Sequence, residues 1–397
     1  MVVKFEPSVL KGEVTAPPSK SVCHRALIAA ALSKGESVIN NISLSDDINA
    51  TVGCLRTLGA KIEITGSSAL VRGIENPPES AELFCNESGS TLRFLIPVAA
   101  ALCKKAVFVT SGKLSERPLS AYEDKFKIEK DGEKITVTGG FRGGKCTLPG
   151  DISSQFVTGL LLSMPLFECG GDVFLSSPLQ SKPYVDITLS VMKSFGVEAE
   201  NYGYGRFSVS ASQKYTHKDF RVEGDESNAA FLDAFNCFGG KVGVLGLSSD
   251  TLQGDRVYKE YFEKLKNGCP TLDITDCPDL APVLLAVAAA LGGCVLKGTK
   301  RLKIKESDRG EAMKEELLKF SSDVTVLDNE IIVKKSKLKA PKTALCSHND
   351  HRIAMALSVL CLSFGGSISG FEAVNKSYPE FLNDIKKLGA KAEICEV

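Results

Sequence analysis

The sequence predicts an α/β protein of two domains, each built from three copies of one repeating unit. The chain has 397 residues, which is too long for one ordinary hydrophobic core, so two domains are expected. A polar turn followed by an apolar helix of small residues recurs six times along the chain. Each apolar helix is followed by a strand, an amphipathic helix and further strands. Six such units divide naturally into two domains of three.

Each unit begins with a turn rich in Ser, Asp, Asn or Gly. These side chains cap helices, and the first N–H groups of a helix have no acceptor within it, so such helix starts attract anions. The six turns lie at 18–21, 87–90, 151–155, 224–228, 276–279 and 348–351. The apolar helices are predicted over 22–32, 92–102, 156–167, 229–237, 280–291 and 353–364.

The second helix of a unit has apolar residues at i, i+4 and i+7, as at Ile48, Val52 and Leu55. It should therefore lie outside, whereas the first helix, apolar on all sides, should be buried. The strands between the two helices are predicted at 37–39, 106–109, 172–175, 242–245, 294–296 and 367–369. Closing strands are predicted at 61–64, 133–137, 197–200, 324–327 and 391–394.

One unit is expected to be shortened. Its second helix, predicted at 120–130, has only Tyr122 and Phe126 on its apolar face. Such a short apolar stripe gives the helix little surface to bury.

The repeats also suggest where the domains divide. The first domain is predicted over 19–222, and the second over 1–18 plus 223–397, with the opening strand, 2–14, pairing in the second domain. The two chain crossings would form a hinge beside a cleft. Helix starts that face this cleft, together with their Lys and Arg neighbours, would form an anion-binding site. We therefore expect a substrate rich in phosphate and carboxylate groups.

Bulk composition excludes several other classes of protein. Lys plus Arg and Asp plus Glu both number 48, so there is no net charge to favour nucleic acid or a membrane surface. No apolar run has the length of a membrane span, and the first residues show no targeting segment. Thirteen cysteines without a C-x-x-C pair are typical of buried thiols in a reducing cytoplasm, with no structural metal. The starting Met1 favours a stand-alone cytoplasmic chain.

Short motifs distributed over nearly the whole chain give the sequence a family resemblance. They are Ser19-Lys20-Ser21 with Arg25, Ser88-Gly89-Ser90-Thr91 with Arg93, Glu116-Arg117-Pro118, Ser153-Ser154-Gln155-Phe156, Ser181-Lys182-Pro183-Tyr184 with Asp186-Ile187-Thr188, Glu223-Gly224-Asp225, Pro278-Asp279, Lys305-Glu306-Ser307-Asp308-Arg309, Asn349-Asp350-His351-Arg352 and Lys376-Ser377-Tyr378-Pro379. Each motif alone is a weak signal, but all of them in this order are specific. On these residues the chain resembles the EPSP synthase family.

The resemblance implies a fold and a reaction. The fold is a two-domain inside-out α/β barrel, in which each domain has three βαβαββ-type units around buried parallel helices. The reaction moves the enolpyruvyl group of phosphoenolpyruvate to the 5-hydroxyl of shikimate 3-phosphate and releases phosphate, through a tetrahedral intermediate. No metal and no organic cofactor is implied. We expect a monomer that glyphosate inhibits.

For shikimate 3-phosphate, the resemblance implies binding residues mainly in the first domain. They are Lys20, Ser21, Arg25, Ser153, Ser154, Ser181 and Tyr184, joined by Asp279 and Lys305. From the residues alone, Lys20 is misplaced at a helix N-terminus unless an anion lies beside it. Ser153 and Ser154 are also compatible with plain helix capping, and Tyr184 with an ordinary position at the edge of the core.

For phosphoenolpyruvate, the implied residues are Lys20, Gly89, Arg117, Gln155, Arg309, Arg352 and Lys376. Guanidinium groups suit both its carboxylate and its phosphate, although each cation alone is also compatible with a solvated surface position. The alternative for Gly89 is a turn position with positive φ. An alanine at position 89 should hinder inhibitors of the size of phosphoenolpyruvate.

The transfer requires one base for the hydroxyl proton and one acid for the methylene carbon. The resemblance assigns the base to Asp279 and the methylene proton to Glu306, and it adds Lys20 to the catalytic set. The plain alternatives are an N-cap for Asp279 and a surface ion pair with Arg309 for Glu306. His351 is compatible with holding a phosphate or with a structural role.

Two other functions stay open at this point. One is the sister enzyme that transfers enolpyruvate to UDP-N-acetylglucosamine. That enzyme normally has a reactive cysteine in a loop which here, at 110–117, contains none. The other is a non-catalytic anion-binding protein on the same scaffold, and the presence of Lys20, Asp279 and Glu306 argues against it.

Overall fold

Helices and strands alternate along residues 1–395, the part of the chain that the computed structural model describes. They group into two units. The N-unit is Pro18–Glu223, and the C-unit combines Met1–Pro17 with Gly224–Val397. Each unit has its own hydrophobic core of buried apolar side chains.

Residues 1–395 contain twelve α-helices. They are α1 (Lys20–Leu32), α2 (Asp46–Thr57), α3 (Gly89–Leu102), α4 (Ser120–Glu123), α5 (Ser154–Ser163), α6 (Lys182–Ser194), α7 (Glu226–Asp233), α8 (Tyr258–Lys266), α9 (Ala281–Leu291), α10 (Arg309–Lys319), α11 (His351–Phe364) and α12 (Phe381–Lys387). Short 3-10 turns lie at Met164–Leu166, Ala234–Phe238, Gly254–Val257, Pro278–Leu280, Lys300–Ile304 and Phe371–Lys376.

The same residues contain twenty-two strands. They are β1 (Val2–Glu6), β2 (Lys11–Thr15), β3 (Glu36–Asn40), β4 (Lys61–Thr65), β5 (Ser68–Arg72), β6 (Ser80–Asn86), β7 (Lys105–Thr110), β8 (Phe126–Asp131), β9 (Lys134–Gly140), β10 (Gly144–Leu148), β11 (Gly171–Leu175), β12 (Ala199–Tyr202), β13 (Arg206–Val209), β14 (Phe220–Arg221), β15 (Lys241–Leu245), β16 (Thr271–Asp273), β17 (Gly293–Lys297), β18 (Asp323–Val326), β19 (Glu330–Lys334), β20 (Leu345–Cys346), β21 (Gly366–Ser369) and β22 (Lys391–Cys395).

The six predicted apolar helices form the centres of the two units. They correspond to α1, α3 and α5 in the N-unit and to α7, α9 and α11 in the C-unit, and nearly all their side chains are buried. Small residues let these helices approach closely. At Gly159 of α5, for example, a Cβ atom would lie only 2.3 Å from the carbonyl oxygen of Arg93 in α3. The prediction of buried first helices is confirmed.

The repeating units follow one pattern with two exceptions, and the pattern is clearest in their sheets. In the N-unit they run β14-β3-β5-β4, β6-β7-β9-β8 and β10-β11-β13-β12, and in the C-unit β20-β21-β1-β22, β16-β17-β19-β18 and β15-β2. A parallel pair begins each sheet, as in β6 with β7, and antiparallel strands complete the four-stranded ones. The α/β class is confirmed. The first exception is that β15-β2 has no closing antiparallel pair among the described strands.

The second exception is the shortened unit. The helix predicted over 120–130 was wrong in extent, because only α4, a single turn, forms there. Residues Phe126–Asp131 instead pair with β9 as strand β8. Tyr122 and Phe126, the predicted apolar stripe, pack edge to face with ring centroids 5.4 Å apart.

The opening segment contributes two strands to the C-unit. Strand β1 lies between β21 and β22 and is antiparallel to both, whereas β2 is parallel to β15. The predicted pairing of this segment is confirmed, although it forms two strands rather than one. The N-terminal ammonium group adds an ion pair with Glu372 at 2.7 Å.

Two further sequence-based expectations concern residues 1–395. No helix in this part of the chain combines the length and apolar character that crossing a lipid bilayer would require. All thirteen cysteines lie within it as free thiols, eight of them buried. The predicted burial of most cysteines is therefore confirmed.

Candidate active site

Lys20 begins α1, and a carboxylate from the neighbouring helix binds its ammonium group. Lys20 Nζ lies 2.6 Å from Oδ2 of Asp47, in the first turn of α2. Both side chains are mostly buried, with 14% and 13% of their surface exposed. A lysine at a helix N-terminus is electrostatically unfavourable by itself, and the Asp47 carboxylate compensates for it. The ion pair also fixes the direction of the Lys20 side chain.

Arg25 lies further along α1 and is buried among neutral acceptors. Its Nε donates to Oγ1 of Thr188 at 2.7 Å, and its Nη1 donates to the carbonyl of Ser21 at 2.6 Å. Its Nη2 donates to the carbonyl of Tyr184 at 3.0 Å. Burial lowers the pKa of Arg25, because the charged form has lost its hydration. An anionic ligand would supply the missing counter-charge, and three of the predicted shikimate 3-phosphate residues meet here.

The serines predicted to bind the same substrate lie at the starts of α5 and α6. Ser153 accepts a hydrogen bond from the backbone N–H of Gln155 at 3.3 Å, so it does cap α5, and Ser154 is buried. Ser181 precedes α6 in a left-handed conformation with φ of 58°. That conformation is uncommon for residues other than glycine and is concentrated at functional sites. Arg25 contacts both helices, so the starts of α1, α5 and α6 converge.

Gly89 begins α3 beside two guanidinium groups. A Cβ atom here would lie 2.9 Å from Nη1 of Arg117 and 3.2 Å from Nη1 of Arg93. Arg93 Nη1 donates to Oε1 of Gln155 at 2.7 Å, and Gln155 Nε2 donates to Oγ of Ser90 at 3.0 Å. Gly89 is not among the residues with positive φ, so close approach rather than turn geometry requires a glycine. Three predicted phosphoenolpyruvate residues are brought together here, and Arg93 joins them.

In the C-unit, Asp279 lies in the 3-10 turn before α9 and binds three cations. Its Oδ1 accepts from Arg309 at 2.8 Å and from Lys305 at 3.2 Å, and its Oδ2 accepts from Arg352 at 3.0 Å. Burial acts to raise the pKa of Asp279, but the charges of Arg352, Lys305 and Arg309 hold it well below its usual range. The Asp279 carboxylate is therefore part of a cluster of ion pairs. The plain alternative, in which Asp279 is only a helix N-cap, does not account for these contacts.

Arg309 begins α10 and divides its guanidinium group among three carboxylates. Nε donates to Asp350 at 2.8 Å, Nη1 to Asp279 at 2.8 Å and Nη2 to Glu306 at 2.7 Å. Burial acts to lower the pKa of Arg309, but Asp350, Glu306 and Asp279 outweigh it and raise the pKa. The predicted pair of Glu306 and Arg309 exists, but it belongs to a buried cluster because Arg309 is only 1% exposed.

Arg352 joins the starts of further helices to this cluster. It lies in the first turn of α11, where the N-cap Asp350 accepts its backbone N–H at 2.9 Å. Its guanidinium group donates to the hydroxyl of Ser227 in the first turn of α7 and to Asp279. The starts of α7, α9, α10 and α11 therefore converge within the C-unit.

Two lysines complete the set of predicted residues in the C-unit. Lys305 is 28% exposed; burial lowers its pKa, although Asp279 acts in the opposite direction. Lys376 ends the 3-10 turn Phe371–Lys376, and its Nζ donates to the carbonyl of Asn349 at 2.6 Å. The buried His351 lies beside Asp350.

Several residues of this arrangement were missed from the sequence. Asp47 looks like an ordinary acidic residue in the first turn of a helix, yet it binds Lys20. Thr188, which orients Arg25, was noted only as part of a motif, and Ser227, which orients Arg352, only as part of a turn. Asp350 was noted only as part of a motif, although it binds Arg309. The only available signal was that buried cations need acceptors, and sequence spacing does not identify which ones.

Comparison with known proteins decides the family. Residues 5–385 match the family model described as EPSP synthase (3-phosphoshikimate 1-carboxyvinyltransferase). The chain belongs to the EPSP synthase family. It is 39% identical over 423 residues to 3-phosphoshikimate 1-carboxyvinyltransferase of Clostridium novyi, covering 98% of this chain and 97% of that protein. The corresponding protein of Clostridium kluyveri is also 39% identical, with 98% of each chain covered.

A solved structure of EPSP synthase from Acinetobacter baumannii supports the fold. It is similar to this chain with a TM-score of 0.78 and 22% sequence identity, covering 99% of this chain and 100% of that one. Membership in the EPSP synthase family makes the chain an enzyme that transfers the enolpyruvyl group of phosphoenolpyruvate to shikimate 3-phosphate. The alternative acceptor, UDP-N-acetylglucosamine, is not favoured.

Proposed function

We propose that this chain transfers the enolpyruvyl group by addition and elimination, with Asp279, Glu306 and Lys20 as its catalytic residues. The observation that supports the assignment most directly is the buried cluster in which Arg309 contacts Asp279 and Glu306 together. Such a cluster places two carboxylates beside a cation that also suits an anionic substrate. Two carboxylates at one anion-binding position match the need for a base and an acid.

The binding roles divide between two groups of side chains. We assign shikimate 3-phosphate to Lys20, Ser21, Arg25, Ser153, Ser154, Ser181, Tyr184, Asp279 and Lys305. The buried charge of Arg25 supports this assignment, because its hydrogen-bond acceptors within residues 1–395 are neutral. The helix starts that meet around it add backbone N–H groups suited to a phosphate.

Phosphoenolpyruvate is assigned to Lys20, Gly89, Arg117, Gln155, Arg309, Arg352 and Lys376. A Cβ atom at position 89 would lie 2.9 Å from Nη1 of Arg117. The absence of a side chain leaves space beside this guanidinium group, which supports the binding of a small anion at that position. Glyphosate, an anion of similar size, is proposed to compete for the same groups.

The steps balance in protons and bonds. In the addition, Asp279 accepts the proton of the 5-hydroxyl, the oxygen bonds to C2 of phosphoenolpyruvate, and Glu306 gives a proton to the methylene carbon. In the elimination, Glu306 takes a proton back from that carbon and the C2–O bond to phosphate breaks. The departing phosphate receives the proton held by Asp279, so both residues return to their starting state.

Substrate binding is part of the proposed activation. Three cations depress the pKa of Asp279, which makes it a weak base while they are bound to it. The carboxylate and phosphate of phosphoenolpyruvate would compete for Arg309 and Arg352. Their arrival would raise the basicity of Asp279 and would also favour the protonated form of Glu306 that the addition requires.

Phosphate release tests the proposal. The wild-type chain should release phosphate from phosphoenolpyruvate with shikimate 3-phosphate and should not do so with UDP-N-acetylglucosamine. Replacing Asp279 by alanine should reduce the rate by about 10²–10⁴-fold, as expected for loss of a general base. The control Asp328→Asn removes an exposed carboxylate of the same unit and should leave the rate unchanged.

Two results would contradict the proposal. Binding of both substrates by the wild-type chain without phosphate release would indicate a non-catalytic anion-binding protein. Release with UDP-N-acetylglucosamine instead would indicate the sister activity. A cytoplasmic location and a monomeric state remain predictions, which cell fractionation and sedimentation would test.

A further inference from the structure

A buried hydrogen-bonded group centred on Glu316 lies next to the proposed catalytic cluster. Glu316 is on α10 and fully buried. Its Oε1 lies 3.0 Å from Nε2 of His348, and its Oε2 accepts the backbone N–H of Cys346 at 3.0 Å. Lys319 Nζ lies 2.9 Å from both oxygens. Glu316 is thus an acceptor for three donors and needs all of them, because burial alone would favour its neutral form.

These hydrogen bonds clamp the turn that leads into α11. His348 and Asn349 both have left-handed backbones, with φ of 51° and 54°. Asn and His adopt this conformation more readily than most residues, but two in succession are uncommon and depend on the surrounding structure to hold them. Glu316 binds the turn on both sides, through the backbone of Cys346 and the ring of His348.

The clamped turn provides two contacts to side chains assigned to phosphoenolpyruvate. The carbonyl of Asn349 accepts from Nζ of Lys376 at 2.6 Å. The next residue, Asp350, accepts from Nε of Arg309 at 2.8 Å. The direction of the Asn349 carbonyl depends on the left-handed backbone, so a relaxed turn would reorient Lys376.

We propose that Glu316 and His348 are positioning residues for phosphoenolpyruvate, acting through the turn that orients Lys376 and Arg309. This inference rests on the proposed function, which assigns Lys376 and Arg309 to that substrate. Glu316 and His348 would then support the site indirectly, by holding the turn whose residues contact Lys376 and Arg309. Neither residue belongs to the family motifs found in the sequence.

A metal site is the competing interpretation of the same group. Ligand atoms of Glu315, Glu316 and His348 lie within 4.8 Å of one another. Both oxygens of Glu316 are, however, in contact with the ammonium group of Lys319. A cation would have to displace this like charge, so the hydrogen-bonded role explains the arrangement better.

The first test replaces Glu316 by glutamine. The amide keeps one acceptor oxygen but places an NH₂ donor against the remaining donors, which loosens the turn. The KM for phosphoenolpyruvate should rise about tenfold, while the KM for shikimate 3-phosphate stays within about twofold. Glu311→Gln is the matched control, because it changes an exposed carboxylate on the same helix that pairs with Lys314, and it should alter neither constant.

A second variant keeps the test decisive if Glu316→Gln does not fold. His348→Asn retains a residue that adopts the left-handed conformation readily but that is too short to reach Glu316. It should raise the KM for phosphoenolpyruvate about threefold, again without a matching change for shikimate 3-phosphate.

Unchanged KM values in the folded variants would overturn the inference. Equal rises in both KM values would overturn it too, because they would indicate a general loss of structure rather than a displaced Lys376. These outcomes can be distinguished from a failure of the proposed function. In that case the wild-type chain itself would release no phosphate.

Discussion

Arg25 in the N-unit and Arg309 in the C-unit are both buried cations near helix starts, yet their surroundings are opposite. Arg25 donates to hydroxyl and carbonyl oxygens, whereas Arg309 donates to Asp279, Glu306 and Asp350. Burial consequently lowers the pKa of Arg25, while the three carboxylates raise that of Arg309. The same repeating architecture thus holds a buried cation among neutral acceptors in the first case and a charge-compensated cluster in the second.

The difference indicates two kinds of chemistry. A buried cation with neutral partners gains most when an anion arrives, which suits binding. A cation that already holds carboxylates gains less, but it can exchange them for substrate anions and so change how strongly those carboxylates hold protons. Replacing Arg25 is therefore expected to affect mainly substrate binding, whereas replacing Arg309 should also affect proton transfer.

The largest expected effect is on the stability of the C-unit. Arg309→Met leaves three carboxylates without their shared cation and should reduce the free energy of unfolding by about 3–5 kcal/mol. Urea denaturation followed by circular dichroism measures this. Lys334→Met, which breaks an exposed ion pair, is the control and should cost less than about 1 kcal/mol. An Arg309→Met protein as stable as the wild type would remove the basis of the comparison.

The matching change in the N-unit should behave differently. Arg25→Met removes a charge whose acceptors are neutral, and Thr158 and Thr188 still hydrogen-bond to each other. The free energy of unfolding should change by less than about 1 kcal/mol, but affinity for shikimate 3-phosphate should fall by about 10–100-fold. Unfolding curves and calorimetric titration check the two parts. A stability loss as large as that of Arg309→Met would show that the two surroundings are equivalent.

A smaller effect is expected at Gly89. An alanine there meets the flexible ends of Arg117 and Arg93, so the fold should survive while the donors shift. The KM for phosphoenolpyruvate should rise about three- to tenfold and glyphosate should inhibit more weakly. Gly53→Ala is a matched control on α2, because nothing lies within 4 Å of its added Cβ. Wild-type kinetics in Gly89→Ala would remove this position from the proposed site.

The smallest effect concerns acid stability. The pKa of Asp279 in the folded chain lies below its unfolded value of about 3.9, so its ionised form stabilises the fold above that pH. This contribution is lost as the pH falls through the folded pKa. Asp279→Asn should therefore be less stable than the wild type near neutrality. The difference in stability between the two proteins should become smaller below about pH 4. Thermal unfolding at several pH values measures this difference in stability. A difference that does not change with pH would contradict the lowered pKa of Asp279.

Much of the fold could be predicted because its signals are local. Polar turns before apolar runs located all six buried helices, and α11 begins within two residues of its predicted start. The shortened unit could not be predicted as well. Phe126–Asp131 forms a strand because it pairs with β9 across a short connection, whereas the i, i+4 spacing of Tyr122 and Phe126 favoured a helix.

The candidate site could also be predicted only in part. Its cations and carboxylates were identified from motifs, and within each unit the structure brings them together. Their partners were not identified, because Asp47 is 27 residues from Lys20 and Thr188 is 163 residues from Arg25. Nothing in the local sequence distinguishes these acceptors from ordinary surface residues. The clamp formed by Glu316 was hidden for the same reason, since its contact with His348 spans 32 residues.

The position of strand β1 has a consequence for biosynthesis. It precedes all the other described strands in the chain, yet both of its neighbours, β21 and β22, follow all the rest. The N-unit has every one of its strand partners once Glu223 has emerged, because its three sheets use only its own strands. Domains generally fold as units during synthesis. We therefore expect the N-unit to fold first, whereas β1 can pair only after β21 and β22 have been synthesised.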